Sequence, residues 1–271
     1  MNIFDFLQVL NGDENNPLSA QLNNAIYNLS VISKSIPTLV DNYLKLEEKW
    51  QKEYPKIKKI ILEVASEEYA KNKAEELVDN YEKWGNYGWT LNAETNPTFF
   101  GSAPGTLDEA NGKMESYCTV DTITRMCNEL KEKGVNGQDI DEVLQCYKEE
   151  KYKSCSLLLF ALLDHELIGL GYRYDNNKLK NGASAAKALL DDRGEQYKNE
   201  LLVYYLVLLI TIKAIMKLFE NKADFTDEPN FINRHFVSHG MSNRDVTSLD
   251  CFRVISALYS FVVLFPIMEE A

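Results

Sequence analysis

Apolar residues recur at intervals of three and four along most of this chain, a spacing that predicts α-helices with one buried face. The clearest case begins at Pro55, a residue that suits the first turn of a helix. Its Ile57, Ile60 and Ile61 share one face, while the remaining positions are rich in charge. We expect this helix to end near Trp84, where a run of glycines and aromatic residues begins.

The same spacing predicts helices along the rest of the chain. In chain order they cover 19–54 (interrupted at Pro37), 106–133, 138–148, 154–170, 195–220 and 245–266. Segment 106–133 has signals at both ends, since Thr106 and Glu109 suit a helix cap and Gly134 stops the helix. Segment 154–170 is apolar almost all round, which is typical of a helix in the middle of a bundle. With only 13 glycines and 7 prolines, the chain is predicted to be an all-α helical bundle.

The segment between Gly85 and Gly105 is the richest in helix breakers, and we expect the boundary between two regions there. Residues 1–105 are predicted to form an N-terminal helical region to which the sequence assigns no role. Residues 106–271 are predicted to form a helical bundle that ends with the last apolar segment.

The charge balance bears on the partners that the chain can take. Lys and Arg total 29 against 41 Asp and Glu, which gives a net charge of −12. Such an acidic surface repels nucleic acid at long range, so contact with RNA needs a local basic patch or a partner protein. Aromatic residues near the boundary could stack on bases, although such clusters more often pack within a loop. These residues are Trp84, Tyr87, Trp89, Phe99 and Phe100.

Cysteine content and hydropathy bear on the cellular compartment that we expect for the protein. The five cysteines are odd in number and include no Cys-x-x-Cys pair, which argues against a zinc ribbon or a disulfide framework. The N-terminal residues lack the basic stretch and the cleavage site of a signal peptide. The longest uncharged apolar run, 201–212, is too short to cross a bilayer. We therefore expect a cytoplasmic protein without membrane contact.

Two of the chain's three histidines lie in one stretch, Asn233-Arg234-His235-Phe236-Val237-Ser238-His239-Gly240. Cleaving RNA without a metal requires a base, an acid and fixed positive charge at the phosphate, and histidine and arginine supply these. On an unbroken helix His235 and His239 would share a face, whereas Arg234 and His239 would not. A helix break at Gly240, or a second copy of the chain across a two-fold axis, could complete the site.

This stretch, placed ahead of a terminal apolar helix, resembles the Arg-x4–6-His signature of the HEPN superfamily. A polar residue after the arginine and a glycine after the final histidine are common in that signature. The resemblance is sharp over about 231–245, extends to the flanking helices, and does not reach the N-terminal 100 residues. It implies a helical bundle that dimerises and, in active members, a metal-independent endoribonuclease of toxin–antitoxin or phage-defence systems.

The resemblance also implies roles for individual residues. Arg234 would position the phosphate or stabilise its charge, and His239 would transfer protons, so that these two form the catalytic pair. His235 would orient the substrate, and Asn233 would help to position it. No metal or other cofactor is expected for this chemistry.

A second polar interruption, Asp164-His165-Glu166, falls inside the apolar segment 154–170 and contains the third histidine. At least one of three consecutive residues on such a helix faces the core or an interface, where a polar group needs a partner. That partner could be Arg234, a second subunit, or a purely structural network. We treat the three residues as candidate supporting residues of the site.

Three functions remain open at this point. The first is a homodimeric ribonuclease that cuts RNA at a site shared by two subunits and is controlled by an antitoxin or another protein. The second is a non-catalytic helical module that binds or regulates a protein of a defence or toxin–antitoxin system. The third is a metal-dependent hydrolase, because His235 and His239 have the spacing of zinc ligands, although Phe236 replaces the glutamate of a His-Glu-x-x-His motif.

Overall fold

The computed structural model describes residues 67–174, 182–200, 202–220 and 225–264, and within these ranges the chain is helical and contains no β-strand. The α-helices are α1 (Glu67–Asn86), α2 (Leu107–Glu115), α3 (Val120–Glu132), α4 (Gly137–Lys148), α5 (Tyr152–Tyr174), α6 (Ala183–Glu200), α7 (Leu202–Leu218), α8 (Arg234–Ser238) and α9 (Ser248–Tyr259). A 3₁₀ helix (Pro97–Gly101) and a π-helical turn (Ser260–Leu264) accompany them. The all-α prediction is confirmed for these residues, while the helix predicted over 19–54 and the start predicted at Pro55 lie outside them.

The described residues fall into two compact units. One contains 67–80 and 94–102, where the Asn80 side chain donates a hydrogen bond to the Gly101 carbonyl at 2.8 Å. The other contains 81–93 and the described residues from 103 to 264, which include every candidate site residue. The boundary expected at residue 105 stays a prediction, because most of the region before it lies outside the described residues.

Helix α5 is central to the larger unit, as its apolar sequence predicts. It packs against α4, α6, α8 and α9. Leu159, Leu163 and Leu167 are almost fully buried along its length. Because residues four positions apart share one face of a helix, these leucines form a continuous apolar surface on which the neighbouring helices pack.

Segment 106–133 forms two helices, α2 and α3, and the prediction of a single helix is wrong. The break lies just before Thr119, whose side chain accepts a hydrogen bond from the Thr122 amide at 3.1 Å and so caps α3. A capping residue has an extended backbone, as Thr119 does here, and therefore interrupts the helical path that precedes it.

The predicted signals at the two ends of this segment are confirmed. The Thr106 hydroxyl accepts a hydrogen bond from the Glu109 amide at 3.2 Å, and the Glu109 carboxylate accepts one from the Gly105 amide at 2.7 Å. Gly134 follows α3 with a φ of 90°, a conformation that glycine adopts without steric cost. The next predicted helix, 138–148, corresponds to α4.

Segment 195–220, also predicted as one helix, contains the end of α6 and all of α7, so this prediction is wrong as well. The two helices pack against each other. Gly194 of α6 lies beside Tyr205 of α7, since a Cβ atom at Gly194 would be 3.5 Å from the Tyr205 ring, an ordinary van der Waals distance. The break falls between the polar end of α6 and the apolar start of α7, and no glycine or proline from Glu195 to Leu218 marks it as a helix end.

Helix α9 begins shortly after its predicted start at Asp245. Thr247 caps it reciprocally: its hydroxyl accepts from the Asp250 amide at 3.2 Å, and the Asp250 carboxylate accepts from the Thr247 amide at 2.9 Å. The helix passes into the π-helical turn, and the predicted end at Pro266 lies outside the described residues. No helix within the described ranges has the length and apolarity needed to cross a membrane.

A buried arginine, Arg253, connects α9 to the loop after α1. Its guanidinium lies 4.2 Å from the centre of the Trp89 ring and donates a hydrogen bond to the Asn111 side chain. On its other side, Nη1 lies 3.5 Å from an oxygen of Asp250. Trp89 and Trp84 are fully buried, so these members of the aromatic cluster pack the core and do not stack on bases.

Candidate functional site

The arginine–histidine stretch forms the short helix α8. Asn233 caps its N-terminus, because the side-chain oxygen accepts hydrogen bonds from two backbone amides of the first turn at 3.0 and 3.3 Å. Gly240 follows the helix with a φ of 69°, a left-handed conformation that favours glycine. The break expected at Gly240 is therefore present, and the exposed His239 lies at the helix end rather than within it.

Asn233 also ties α8 to the end of α7. Its Nδ2 donates a hydrogen bond to the Glu220 carbonyl at 2.9 Å, and the residue is only 2% exposed. A side chain this buried does not reach a substrate directly. The predicted role in substrate positioning would therefore be indirect, through the helix that Asn233 holds and that carries Arg234 and His235.

We expect Asn233→Ala to lower the free energy of unfolding by about 1–2 kcal/mol, because the variant loses a helix cap and leaves backbone groups without partners. Urea-induced unfolding followed by circular dichroism measures this change. Asn128→Ala, at an exposed position of α3, is the matched control and should change the free energy by less than about 0.5 kcal/mol. Equal stability of the two variants would show that the cap is dispensable.

The Arg234 guanidinium pairs with Asp164 of α5. Its Nη2 lies 3.2 Å from Oδ2 of Asp164, and the two side chains keep 37% and 23% of their surface exposed. Of the partners considered for the polar interruption in α5, Arg234 is the one that Asp164 contacts. An ion pair this exposed contributes at most about 1 kcal/mol, so an incoming anion can compete for the guanidinium at little cost.

An open cleft of about 330 Å³ lies beside this ion pair. Asp164 and the exposed His165 line it from α5, and Arg234 and Ser238 line it from α8. Glu166, the third candidate on α5, is not among the lining residues. The cleft thus combines a cation, a carboxylate and an imidazole with an apolar wall. That wall consists of Leu157, Phe160, Ala161 and Ile168.

His235 and His239 contact each other and do not line this cleft. Their ring centroids are 4.8 Å apart, with the ring planes at 69°. Phe225 contacts both imidazoles: it stacks on His235 at 4.2 Å and lies edge to face with His239 at 5.6 Å. Within the described chain, Arg234 therefore lies at the cleft while the two histidines belong to an aromatic cluster beside it.

The surroundings of His235 favour its neutral form. Burial lowers its pKa below the usual 6.5, and the positive charges of His239 and Arg234 lower this pKa further. Its Nε2 is shielded from solvent and has no hydrogen-bond partner among the described residues. At neutral pH such an imidazole is suited to accept a proton rather than to donate one.

The residues available to a metal ion are dispersed. Across the described ranges, no three His, Cys, Asp or Glu side chains are grouped so that they could hold one. His235 and His239 thus find no third ligand among the polar residues of α5 in this arrangement. The five cysteines are free thiols.

Comparison with known proteins assigns the chain to no family. No protein-family model, curated protein or solved structure matches it. The resemblance to the HEPN superfamily therefore rests on the motif from Asn233 to Gly240 and on its place ahead of an apolar helix.

Phe225 is the residue of this site that the sequence does not indicate. It lies in the connection before α8 and is separated from the motif by several polar residues. Its ring reaches the histidines from a backbone with a φ of 52°, and no sequence pattern marks that conformation for phenylalanine. The sequence therefore contains no signal that could have revealed the place of Phe225 in the site.

Proposed function

We propose that this chain is a metal-independent endoribonuclease of the HEPN type that acts as a homodimer in a toxin–antitoxin or phage-defence system. The observation that carries the proposal is the placement of Arg234 at an open cleft, next to a pair of contacting imidazoles on the same short helix. Phosphodiester cleavage by the 2′-hydroxyl requires a cation and groups that take and give a proton, and an arginine beside two imidazoles supplies them.

The chemistry assigns each side chain a step. An imidazole takes the proton from the 2′-hydroxyl, whose oxygen attacks the phosphorus, and the bond from phosphorus to the 5′-oxygen breaks. A second imidazole gives a proton to the leaving 5′-oxygen. The Arg234 guanidinium stabilises the negative charge that collects on the phosphate oxygens. His235, neutral in its surroundings, suits the first step through Nδ1, because its Nε2 is shielded from solvent, and the exposed His239 suits the second.

The ion pair of Arg234 with Asp164 fits a site whose cation is occupied by a carboxylate until RNA binds. Asp164 neutralises the guanidinium in the free protein, and a phosphate would replace this carboxylate as its partner. Because the exposed ion pair is worth at most about 1 kcal/mol, the exchange costs little.

A second copy of the chain completes the site in this proposal. Arg234 lines the cleft and His239 does not, so a two-fold axis near α8 would bring the His239 of one subunit towards the Arg234 of the other. Exposed apolar side chains flank this region, with Leu157 38% exposed and Met241 45% exposed. Burial of such side chains would favour association.

The test is cleavage of RNA by the purified full-length protein in excess EDTA. We expect cutting of single-stranded RNA that is unchanged by the chelator, because no step uses a metal. The matched control is the same oligonucleotide with 2′-deoxy sugars, which lacks the nucleophile and should stay intact. Cleavage that requires a divalent ion, or equal cleavage of both oligonucleotides, would overturn the mechanism.

A second candidate is a non-catalytic module that binds a protein partner. The acidic balance and the exposed side chains of Leu157, Val203 and Met241 favour it, since a protein-binding surface needs no attraction for phosphate. In that case Arg234 and Asp164 would serve only to join α8 to α5. The absence of any RNA cleavage, together with stable binding of an antitoxin-like protein, would favour this candidate.

A further inference from the structure

Phe225 is the contact that the two motif histidines share. Its ring is parallel to that of His235, with a centroid separation of 4.2 Å and an angle of 4° between the planes. The same ring lies edge to face with His239 and with Phe236, at 5.6 and 5.3 Å. One aromatic side chain therefore fixes the orientation of both imidazoles against the core of the bundle.

The backbone at Phe225 is unusual for a bulky residue. Its φ of 52° lies in the left-handed region, which Glu150 is the only other described non-glycine residue to share. In this region the Cβ atom of an L-residue lies too close to the following carbonyl oxygen, and such strain persists only where the surroundings impose it. Here the surroundings are the two histidines and Phe236, so the strained conformation serves to hold the ring on His235.

The two charged groups that affect the pKa of His235 both lower it. His239 and Arg234 both add positive charge from the same segment of the chain. The carboxylate of α5 that faces this region, Asp164, is engaged by Arg234. At the end of α7, the Glu220 carboxylate pairs with Lys217 at 2.7 Å. The stacked ring of Phe225 adds to these effects because it keeps water from one face of the imidazole.

We propose that Phe225 is a positioning residue of the histidine pair: its ring, stacked on one imidazole and edge to face with the other, fixes His235 against His239. This role rests on the proposed ribonuclease function. In that site a neutral His235 accepts the proton of the 2′-hydroxyl, and His239 is the imidazole that carries a proton to the leaving oxygen. Two histidines with identical surroundings would not be distinguished as base and acid.

The experiment is an NMR titration of the untagged full-length protein, whose three histidines give three imidazole Cε1–H signals. His235→Gln and His239→Gln assign two of them, and His165 provides an internal reference. In the wild-type protein we expect the His235 signal to titrate with a midpoint below about 6.5 and to show an upfield ring-current shift from the stacked ring. A wild-type His235 signal that titrates at or above that value, or lacks the ring-current shift, overturns the proposal.

Two substitutions separate positioning from mere packing. Phe225→Leu removes the flat ring and should move the His235 midpoint upwards and abolish the ring-current shift, whereas Phe225→Tyr should preserve both. Phe219→Leu is the matched control, because that ring packs edge to face on Phe160 at 5.7 Å and not on the histidines. Equal His235 midpoints in the Leu variant and the wild type overturn the proposal, and the wild-type and Tyr measurements decide it even if the Leu variant fails to fold.

The titration and RNA cleavage report on different claims. If the protein cuts RNA, Phe225→Leu should shift the acidic limb of the kcat profile to higher pH, in step with the His235 midpoint, and leave KM nearly unchanged. Cleavage whose profile does not follow the NMR midpoint overturns the positioning role while the ribonuclease stands. The expected titration in a protein that cuts no RNA supports the positioning of the pair and removes the ribonuclease proposal.

Discussion

Asp250→Ala is expected to lower the free energy of unfolding by about 3–5 kcal/mol, because it leaves a buried guanidinium without its counter-charge. Asp250 is 2% exposed; it accepts a hydrogen bond from Arg244 at 2.8 Å and faces Arg253 at 3.5 Å. Burial lowers the pKa of Arg253 to about 10, so this guanidinium still carries its charge at neutral pH. The same carboxylate completes the cap of α9, so the variant also loses helix stabilisation. Urea-induced unfolding monitored by tryptophan fluorescence gives the change.

Two further variants test the cause of this loss. Asp245→Ala removes an exposed carboxylate from the same loop and should change the free energy of unfolding by less than about 0.5 kcal/mol. Adding Arg253→Met to Asp250→Ala removes the stranded charge and should recover part of the lost stability. A double variant less stable than Asp250→Ala would show that Arg253 stabilises the core mainly through Trp89 and Asn111 rather than through its charge pair.

The helices that sequence predicts well are those whose ends carry a local signal. Gly134 and Thr106 mark the ends of a segment because a left-handed glycine and a capping hydroxyl act within a few residues. The break before Thr119 has a local cap as well, but apolar residues continue across it and conceal it. The break between α6 and α7 has no such signal, because no glycine or proline occurs from Glu195 to Leu218, and the packing of the two helices against each other is a tertiary contact that no window of sequence contains.

The same distinction between local signals and tertiary contacts applies to the candidate site. The contact of Asp164 with Arg234 could be anticipated as one alternative, because a carboxylate inside an apolar helix needs a partner and Arg234 is the permanent cation of the motif. The stacking of Phe225 on His235 could not be anticipated from the sequence, since it depends on a strained backbone in a connecting loop. The separation of His239 from the cleft agrees with helix geometry, because residues five positions apart do not share a helix face, and the break at Gly240 comes only after His239.

Arg234→Ala and His239→Ala are each expected to lower the rate of RNA cleavage by about 10²–10⁴-fold, the range that a charge-stabilising or proton-transferring group contributes. Both side chains are partly or fully exposed, and the Arg234 ion pair is worth at most about 1 kcal/mol, so the thermal unfolding of the variants should stay close to that of the wild type. Initial rates on a labelled oligonucleotide measure the effect. Arg125→Ala, an exposed arginine on α3, is the matched control and should retain full activity.

A mixture of the two inactive variants then tests whether the site is shared between subunits. If Arg234 of one subunit works with His239 of the other, each mixed dimer contains one intact pair and one doubly deficient pair. Random exchange makes half of the dimers mixed, so the mixture should recover roughly a quarter of the wild-type rate. A site formed by one subunit gives no recovery, because every subunit in the mixture lacks either the guanidinium or the imidazole. Recovery would thus place the reaction at the two-fold axis, and full activity of either variant alone would remove Arg234 and His239 from the chemistry.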